Sequence, residues 1–318
     1  MKIVTLEELK KYEKILCNRG RDIEIAKFNY HFNNGDRSDV SNALSIYQNR
    51  DGGFGHGLEP DALNPYSSPL QTAEALKILK HVGYNDSNLD EISEYIVNRA
   101  LHYIYYYSLK DGKINPNVPT NNDYPHAAWM EYSEDFFDTW RYNPTAVLLA
   151  LTIYFTKEDN KYYQKAIELL PTVIESFINE TKENVDKHYL NNMLEVYHVI
   201  TTKKLFVEYH ETLRGNINKR IDDLMTYNKD IWHLDEANLP LELIQLDVFL
   251  NSKERLELVE QNLDYLLDSR DENGLFEVFW NWKNDYEEFE LQKIKWQGVI
   301  LVNNLVFLKK FNRILIEQ

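Results

Sequence analysis

A cluster of glycines between two helical patterns is the feature that most constrains this chain. Four of its eleven glycines lie within six positions, at Gly52, Gly53, Gly55 and Gly57. Glycine lets the backbone adopt positive φ angles or approach another segment closely, so the cluster predicts a shaped turn. Apolar residues at helical spacing precede and follow it, which predicts a helix on each side of the 48–72 segment, with Thr72 as the N-cap of the second helix.

The same apolar periodicity recurs along the whole chain and predicts an all-α protein. Thr5 and Glu8 form a capping box at the start of the first helix. No stretch alternates regularly enough to compete as a strand. The twelve predicted helices cover residues 5–18, 22–31, 37–48, 72–82, 89–109, 145–154, 159–180, 187–200, 204–226, 238–250, 253–269 and 294–315.

Short turns containing glycine precede several helices, which indicates an internal repeat. Asp51-Gly52-Gly53-Phe54 leads to Thr72-Ala73, Asp111-Gly112 leads to Asn143-Pro144-Thr145, and Asn273-Gly274-Leu275-Phe276 leads to Gln297-Gly298. Repeats of this size are typical of stacked helical hairpins, which form an open solenoid or close into a ring. Two segments, 146–154 and 299–308, are apolar nearly all round, as expected for helices buried on both sides. We therefore predict a single domain over residues 1–318, folded as an (α/α)6 barrel of about six hairpins.

The glycine-rich repeat resembles that of a known superfamily. Gln48-x-x-Asp51-Gly52-Gly53-Phe54-Gly55, followed by Thr72-Ala73-x-Ala75-Leu76, is similar to the repeat of protein prenyltransferase β subunits and of squalene-hopene and oxidosqualene cyclases, the α/α-toroid terpenoid-cyclase superfamily. The resemblance implies a barrel whose inner helices surround a central cavity. It also implies a substrate that is isoprenoid-like or otherwise small and hydrophobic.

The catalytic motifs of that superfamily are absent from this chain. Its zinc site uses an Asp-x-Cys pair, but Ile15 stands two positions before Cys17, the only cysteine. No Asp-x-Asp-Asp motif of the class II cyclases occurs. In the aspartate-rich motif of class I terpene synthases, Thr226 would replace the third acid after Asp222-Asp223. We therefore assign no metal ligands and no cofactor.

The candidate catalytic residues lie in two irregular segments. His56, Glu59 and Asp61 fall within six residues of the glycine-rich loop, where a carboxylate could act as general acid or base. His126 lies beside Trp129 in a second segment, 111–142, which is long for a loop in a compact domain. The alternative is that these groups cap helices or bind the amides of their own loops.

The candidate substrate-binding residues are mostly aromatic and lie near junctions between turns and helices. Tryptophan can stack against a flat ligand or face a cation, and it can equally pack adjacent repeats together. An arginine near a helix N-terminus suits an anion, although a surface ion pair is the alternative. The predicted set is Phe54, Trp129, Trp140, Arg141, Trp280 and Trp296.

Composition limits the possible partners. The chain carries 51 acidic against 35 basic residues, a formal charge of −16, without a run of Lys and Arg, so we expect no nucleic-acid partner. The single cysteine, Cys17, excludes an internal disulfide and is expected to be half-buried in a reducing compartment. The N-terminus has no apolar signal region, and the run 299–308 is too short to span a membrane. We expect a cytoplasmic protein that binds a small molecule, and the oligomeric state stays open.

Three functions are consistent with these features. The first is an enzyme with a pocket at the barrel mouth, built from the 51–66 and 123–143 loops with Trp280 and Trp296, acting on an isoprenoid-like substrate. The second is a carbohydrate-active hydrolase or lyase that uses paired carboxylates, as other (α/α)6 barrels do. The third is a ligand-binding or scaffold protein without catalysis. An isoprenoid site predicts a deep apolar cavity, and a sugar site predicts an open polar cleft with an exposed tryptophan.

Overall fold

The computed structural model describes residues 2–315 and is predominantly helical, which confirms the all-α prediction. Residue 1 and residues 316–318 of the predicted domain lie outside this range. The only sheet within the described residues joins β1 (Leu109–Lys110) and β2 (Lys113–Ile114). The α-helices are α1 Leu6–Arg19, α2 Asp22–Phe32, α3 Arg37–Ser45, α4 Pro69–His81, α5 Glu91–Tyr103, α6 Phe136–Trp140, α7 Thr145–Phe155, α8 Lys161–Asn179, α9 Lys187–Thr202, α10 His210–Leu224, α11 Pro240–Leu243, α12 Lys253–Asp268 and α13 Phe289–Lys310.

Most predicted helices are present, and the largest differences are at their ends. Helix α4 begins at Pro69, because the hydroxyl of Ser68 accepts a hydrogen bond from Gln71 N and takes the capping role predicted for Thr72. The last helix runs from Phe289 to Lys310 and not from 294 to 315. It ends before Asn312, whose φ of 55° is incompatible with continuing a right-handed helix. The prediction of one helix over 238–250 is wrong, because only Pro240–Leu243 is α-helical there.

The internal repeat is visible in hydrogen bonds of the first two turns. Phe54 N donates to Thr72 Oγ1 at 3.0 Å, and Ile114 N donates to Thr145 Oγ1 at 2.9 Å. In both cases the threonine lies on the helix that follows the loop, so it fixes the loop to that helix. The third turn keeps the antiparallel pairing, since Arg270 pairs with Phe276 as Gln48 pairs with Phe54.

The first and last helices pack against each other. Helix α13 contacts α1 and α2, and Val4 pairs with Ile314 in a parallel bridge. The buried Arg313 supports this junction by donating to Lys2 O at 2.9 Å and to Asp264 at 2.6 Å. Helix α7 lies in the interior, with every residue except Tyr154 buried, and it contacts α4, α8 and α9.

The predicted burial of the cysteine is wrong. Cys17 is exposed, because it lies on a different face of α1 from the buried Tyr12 and Leu16.

Between residues 2 and 315, no helix has both the length and the apolar character required to cross a bilayer.

Candidate active site

Three loops meet in front of the helices that follow them: 46–68 before α4, 111–144 before α7 and 269–288 before α13. The backbone around His126 joins all three. Ala62 and His126 form an antiparallel bridge, and Ala127 N donates to Asp61 O at 2.8 Å. From the third loop, Asn284 Nδ2 donates to His126 O at 2.6 Å. The two loops of the predicted pocket are therefore in contact. The 269–288 loop, from which the predicted pocket included only Trp280, contacts them as well.

Asp61 lies at the centre of a group of tryptophans. Its Oδ1 accepts hydrogen bonds from Trp282 Nε1 at 2.8 Å and from Trp296 Nε1 at 2.7 Å, and the residue is only 4% exposed. Trp129 and Trp280 belong to the same apolar cluster, and both indoles approach the carboxylate closely enough to lower its pKa. Burial is the larger influence and raises the pKa of Asp61, while the indole N–H groups oppose it. The tryptophans therefore fix the orientation of this carboxylate and stabilise its ionised form.

Glu59 is in a different environment from Asp61. Its side chain is half-buried and, within residues 2–315, forms no ion pair and no hydrogen bond with another side chain, while the backbone N–H of Asp61 lies close enough to lower its pKa. Burial raises the pKa of Glu59 well above its ordinary value of 4.5, and the negative charges of Asp61 and Glu74 raise it further. The charge of Arg21 acts in the opposite direction but does not cancel these effects. Glu59 therefore retains its proton at pH values where an exposed glutamate is ionised.

Side chains from α4 and from the start of α2 hold this loop in place. Arg21 Nη1 donates to the carbonyl oxygens of Gly57 and Leu58, each at 2.9 Å. The same guanidinium binds Glu24 through Nε at 2.8 Å and Nη2 at 2.7 Å. Gln71 Oε1 accepts a hydrogen bond from Glu59 N at 3.4 Å. The two helices thus position the backbone of Glu59 without using its carboxyl group.

The two candidate histidines do not share hydrogen bonds with the carboxylates. His56 is exposed, has a φ of 60°, and its Nε2 lies 2.9 Å from Asn49 Oδ1. His126 is 7% exposed and its Nδ1 lies 2.7 Å from Tyr124 O. Because a carbonyl oxygen can only accept, Nδ1 carries the proton and Nε2 is the free acceptor. His126 contributes to the site chiefly through the backbone contacts that join the three loops.

Three predicted substrate-binding residues lie outside the group around Asp61. Phe54 is 0% exposed in the apolar core, so its ring offers no surface to a ligand. Trp140 is half-buried at the end of the short helix α6. Arg141 forms ion pairs with Glu180 at 3.5 Å and Asp138 at 3.6 Å, which makes it part of the contact between α6 and the end of α8. Trp129, Trp280 and Trp296 are the predicted aromatic residues that the structure groups with Asp61.

Three helices each carry a row of polar residues along one face, here called a polar stripe. These stripes were not predicted, although the spacing of their residues is visible in the sequence. Glutamate, lysine, glutamine, asparagine and histidine recur every three or four residues, so each set shares one helix face. Members of these stripes contact neighbouring helices, since Lys27 Nζ lies 3.2 Å from Asn303 Oδ1 on α13 and Glu195 pairs with Lys80 of α4 at 2.8 Å. The stripes are Glu24, Lys27 and His31 on α2, Gln71, Glu74, Lys77 and His81 on α4, and His188, Asn191, Glu195 and His198 on α9.

Comparison of the chain with protein-family models, with curated proteins and with solved structures found no match. Among residues 2–315, no group of three or more His, Cys, Asp or Glu side chains is arranged to hold a metal ion. The site itself contains one carboxyl whose pKa is raised well above its ordinary value, one carboxylate oriented by indole N–H groups, and half-buried indole rings.

Proposed function

We propose that the helices form a closed ring of six hairpins, with α2, α4, α7, α9, α11 and α13 inside. Contacts of α2 with α13, α4 with α7, α7 with α9, and α9 with α11 support this arrangement. The packing of α13 on α1 and the bridge between Val4 and Ile314 support closure. In such a ring the N-terminal ends of the inner helices share one face, so the loops carrying Glu59, Trp129 and Trp280 surround its mouth. The polar stripes then line the lumen beneath them.

The function that this geometry supports best is acid–base catalysis on a sugar-like substrate, with Glu59 as general acid. The observation that carries the proposal is the contrast between two neighbouring carboxyl groups. Glu59 is unpaired and its pKa is raised, whereas Asp61 is bound by two indole N–H groups. Pairs of carboxyl groups whose environments separate their pKa values are typical of acid–base sites.

Each residue has a defined role in this proposal. Glu59 donates its proton to the oxygen of the leaving group and becomes a carboxylate. Asp61, whose indole partners favour its carboxylate form against the effect of burial, stabilises positive charge on the sugar ring or removes a proton from the attacking water. The half-buried rings of Trp129, Trp280 and Trp296 offer apolar faces for the C–H groups of a sugar.

The polar interior favours a hydrophilic substrate over an isoprenoid. Lys27, Glu74 and Glu195 belong to the stripes that would line the lumen, whereas a cavity for a hydrocarbon chain would be apolar. The resemblance to terpenoid cyclases is thus proposed to extend to the barrel scaffold and not to the substrate. Fold and chemistry often separate in this way, because function depends on the site and not on the scaffold.

Turnover of a panel of aryl glycosides and oligosaccharides by the wild-type protein and two variants tests the proposal. For any substrate that is cleaved, we expect Glu59→Gln and Asp61→Asn each to lower kcat by roughly 100-fold or more, as loss of a general acid or base does. The wild-type rate should fall as the pH rises through the raised pKa of Glu59. Glu287→Gln, at an exposed acid of the third loop, is the matched control and should keep full activity.

Two outcomes would contradict the proposal. Full activity of Glu59→Gln would exclude the general-acid role. Turnover of a prenyl alcohol or prenyl diphosphate, without turnover of any sugar, would favour the isoprenoid prediction.

A further inference from the structure

Lys27 is a buried lysine without an ion pair in the described residues, and burial lowers the pKa of its ammonium while the charges of Glu24 and Glu74 oppose this. The residue is only 6% exposed. Its ammonium donates one hydrogen bond, to Asn303 Oδ1 on α13 at 3.2 Å. An ammonium can donate three hydrogen bonds, and burying one without a counterion is unfavourable. A group with this combination of burial and spare donors is suited to receive an anion.

Lys27 lies beneath the candidate active site. Arg21, the N-cap residue of α2, holds the carbonyl oxygens of Gly57 and Leu58, and Lys27 follows six residues later on the helix. At 1.5 Å per residue this separation corresponds to about 9 Å along the helix axis. The negative charge of Glu74 raises the pKa of Glu59 and also that of Lys27. Glu74 therefore lies between the candidate active site and Lys27.

Two further lysines lie near Lys27 without ion pairs in the described part of the chain. Lys77 is half-buried on α4, and its charge acts on His81 and on His188 of α9. Lys295 is half-buried on α13, and the charge of Glu24, which lies three residues before Lys27 on α2, acts on it. Burial lowers the pKa of His81 to about 4, and the charges of Lys27, Lys80 and Lys77 act in the same direction while that of Glu195 opposes them, so Lys27 and Lys77 lie near the same imidazole.

The acids of the polar stripes compensate only part of the charge of these lysines. Glu24 is occupied by Arg21 at 2.7 Å, and Glu195 by Lys80 at 2.8 Å. Lys27, Lys77 and Lys295 thus form no ion pair within residues 2–315, and Glu74 is the one stripe acid that is not already paired with another basic side chain.

We propose that Lys27, with Lys77 and Lys295, binds an anionic group of the substrate, a carboxylate or a phosphate, beneath Glu59 and Asp61. This inference rests on the proposed sugar-directed function and specifies its substrate class as an acidic sugar. The anion would satisfy the spare donors of Lys27 and place the sugar ring at the level of the two carboxyl groups. Charge-assisted hydrogen bonds of this kind are among the strongest in proteins.

Dissociation constants measured by titration calorimetry for four probes test the inference. The probes are D-glucuronate, glucose 6-phosphate, D-glucose and inorganic phosphate. We expect the wild-type protein to bind D-glucuronate or glucose 6-phosphate roughly 10- to 100-fold more tightly than D-glucose, the effect of one charge-assisted hydrogen bond. The tighter of the two anionic sugars identifies the group as carboxylate or phosphate.

Variants then assign the preference to Lys27. Lys27→Met should lower the ratio of acidic-sugar to glucose affinity by roughly tenfold or more and leave the affinity for D-glucose unchanged. Lys10→Met, which removes the same charge from the exposed face of α1, should keep the wild-type ratio. Lys77→Met should change the ratio in the same direction, and it serves as the test if Lys27→Met does not fold.

The probes separate failure of this inference from failure of the proposed function. Equal affinity for glucose and its acidic analogues, or an unchanged ratio in Lys27→Met, would overturn the anion site and leave the sugar-directed function standing. Binding of inorganic phosphate that depends on Lys27, with no binding of any sugar, would support the anion site and overturn the proposed function. Absence of binding by all four probes would overturn both.

Discussion

The first and third glycine turns have similar backbones in different surroundings. The same backbone hydrogen bond closes each turn: Asn49 N donates to Gly53 O and Asp271 N donates to Leu275 O, each at 2.8 Å. Each turn ends in a buried phenylalanine, Phe54 or Phe276. The first turn is enclosed by its own loop and by α5 and leads to Glu59 and Asp61, whereas the third lies in more open space and leads to Trp280 and Trp282. The repeated turn therefore sets the course of a loop, and the residues after it determine the chemistry.

The largest expected difference between the two turns is in their tolerance of a side chain. A Cβ at Gly52 would lie well inside van der Waals distance of the Arg99 carbonyl oxygen, so the backbone would have to move. At the equivalent Gly274 the nearest atom to a new Cβ is Tyr12 Oη at 3.6 Å, and only its φ of +81° opposes a side chain. We expect Gly52→Ala to lower the free energy of unfolding by about 3 kcal/mol or more, and Gly274→Ala by about 1 to 2 kcal/mol. Urea denaturation of both variants measures this difference, and equal losses would contradict the distinction between the two turns.

A smaller effect is expected from the threonine that anchors the first turn. Thr72→Val keeps the shape of the side chain but removes the acceptor for the buried N–H of Phe54. A buried donor left without a partner costs about 1 to 3 kcal/mol, and we expect the free energy of unfolding to fall by that amount. Thr145→Val tests the same bond in the second repeat, to Ile114 N. If only one of the two variants loses stability, the two repeats do not use the same anchor.

The smallest expected effect, at most about 1.4 kcal/mol for a change of one pH unit, is on the pH dependence of stability. The pKa of Glu59 is raised in the folded state, so in the unfolded chain this group loses its proton first as the pH rises above 4.5. Its contribution to stability is therefore present below pH 4.5 and is lost as the pH rises to the folded-state pKa, at up to about 1.4 kcal/mol per pH unit. Glu59→Gln should remove this slope and be more stable than the wild type at neutral pH.

Unfolding free energies of the wild type and the variant across this pH range provide the measurement. Glu272→Gln, at an exposed acid of the third turn, is the control and should keep the wild-type slope. A slope unchanged by Glu59→Gln would mean that Glu59 ionises as an ordinary surface carboxyl does.

Local rules were sufficient to predict much of the helical structure. The capping box of Thr5 and Glu8 is present, and the apolar pattern around 146–154 corresponds to a helix buried on nearly every side. The segment 238–250 was predicted less well. Its apolar residues are divided between a four-residue helix and the separate turn Asp247–Phe249, and periodicity alone does not distinguish these from one helix.

The site was only partly predictable, because it combines segments that are far apart in the chain. The carboxyl groups of Glu59 and Asp61 could be singled out from their loop. Their partners could not, since Trp282 reaches Asp61 from 221 positions away and Arg21 reaches the Gly57 carbonyl from 36. Conversely, Phe54 lies in the same short loop as Glu59 but points into the core. Proximity in sequence therefore did not predict which side chains of this loop lie together.

The concentration of tryptophans around Asp61 gives the protein an intrinsic optical probe. Four of its six tryptophans, Trp129, Trp280, Trp282 and Trp296, belong to the cluster around this carboxylate. Indole fluorescence responds to a nearby charge and to the exclusion of water, so most of the native emission reports on one location. Ligand occupancy could therefore be followed without a label, and replacing Trp140 and Trp232 by phenylalanine would leave emission from the site alone.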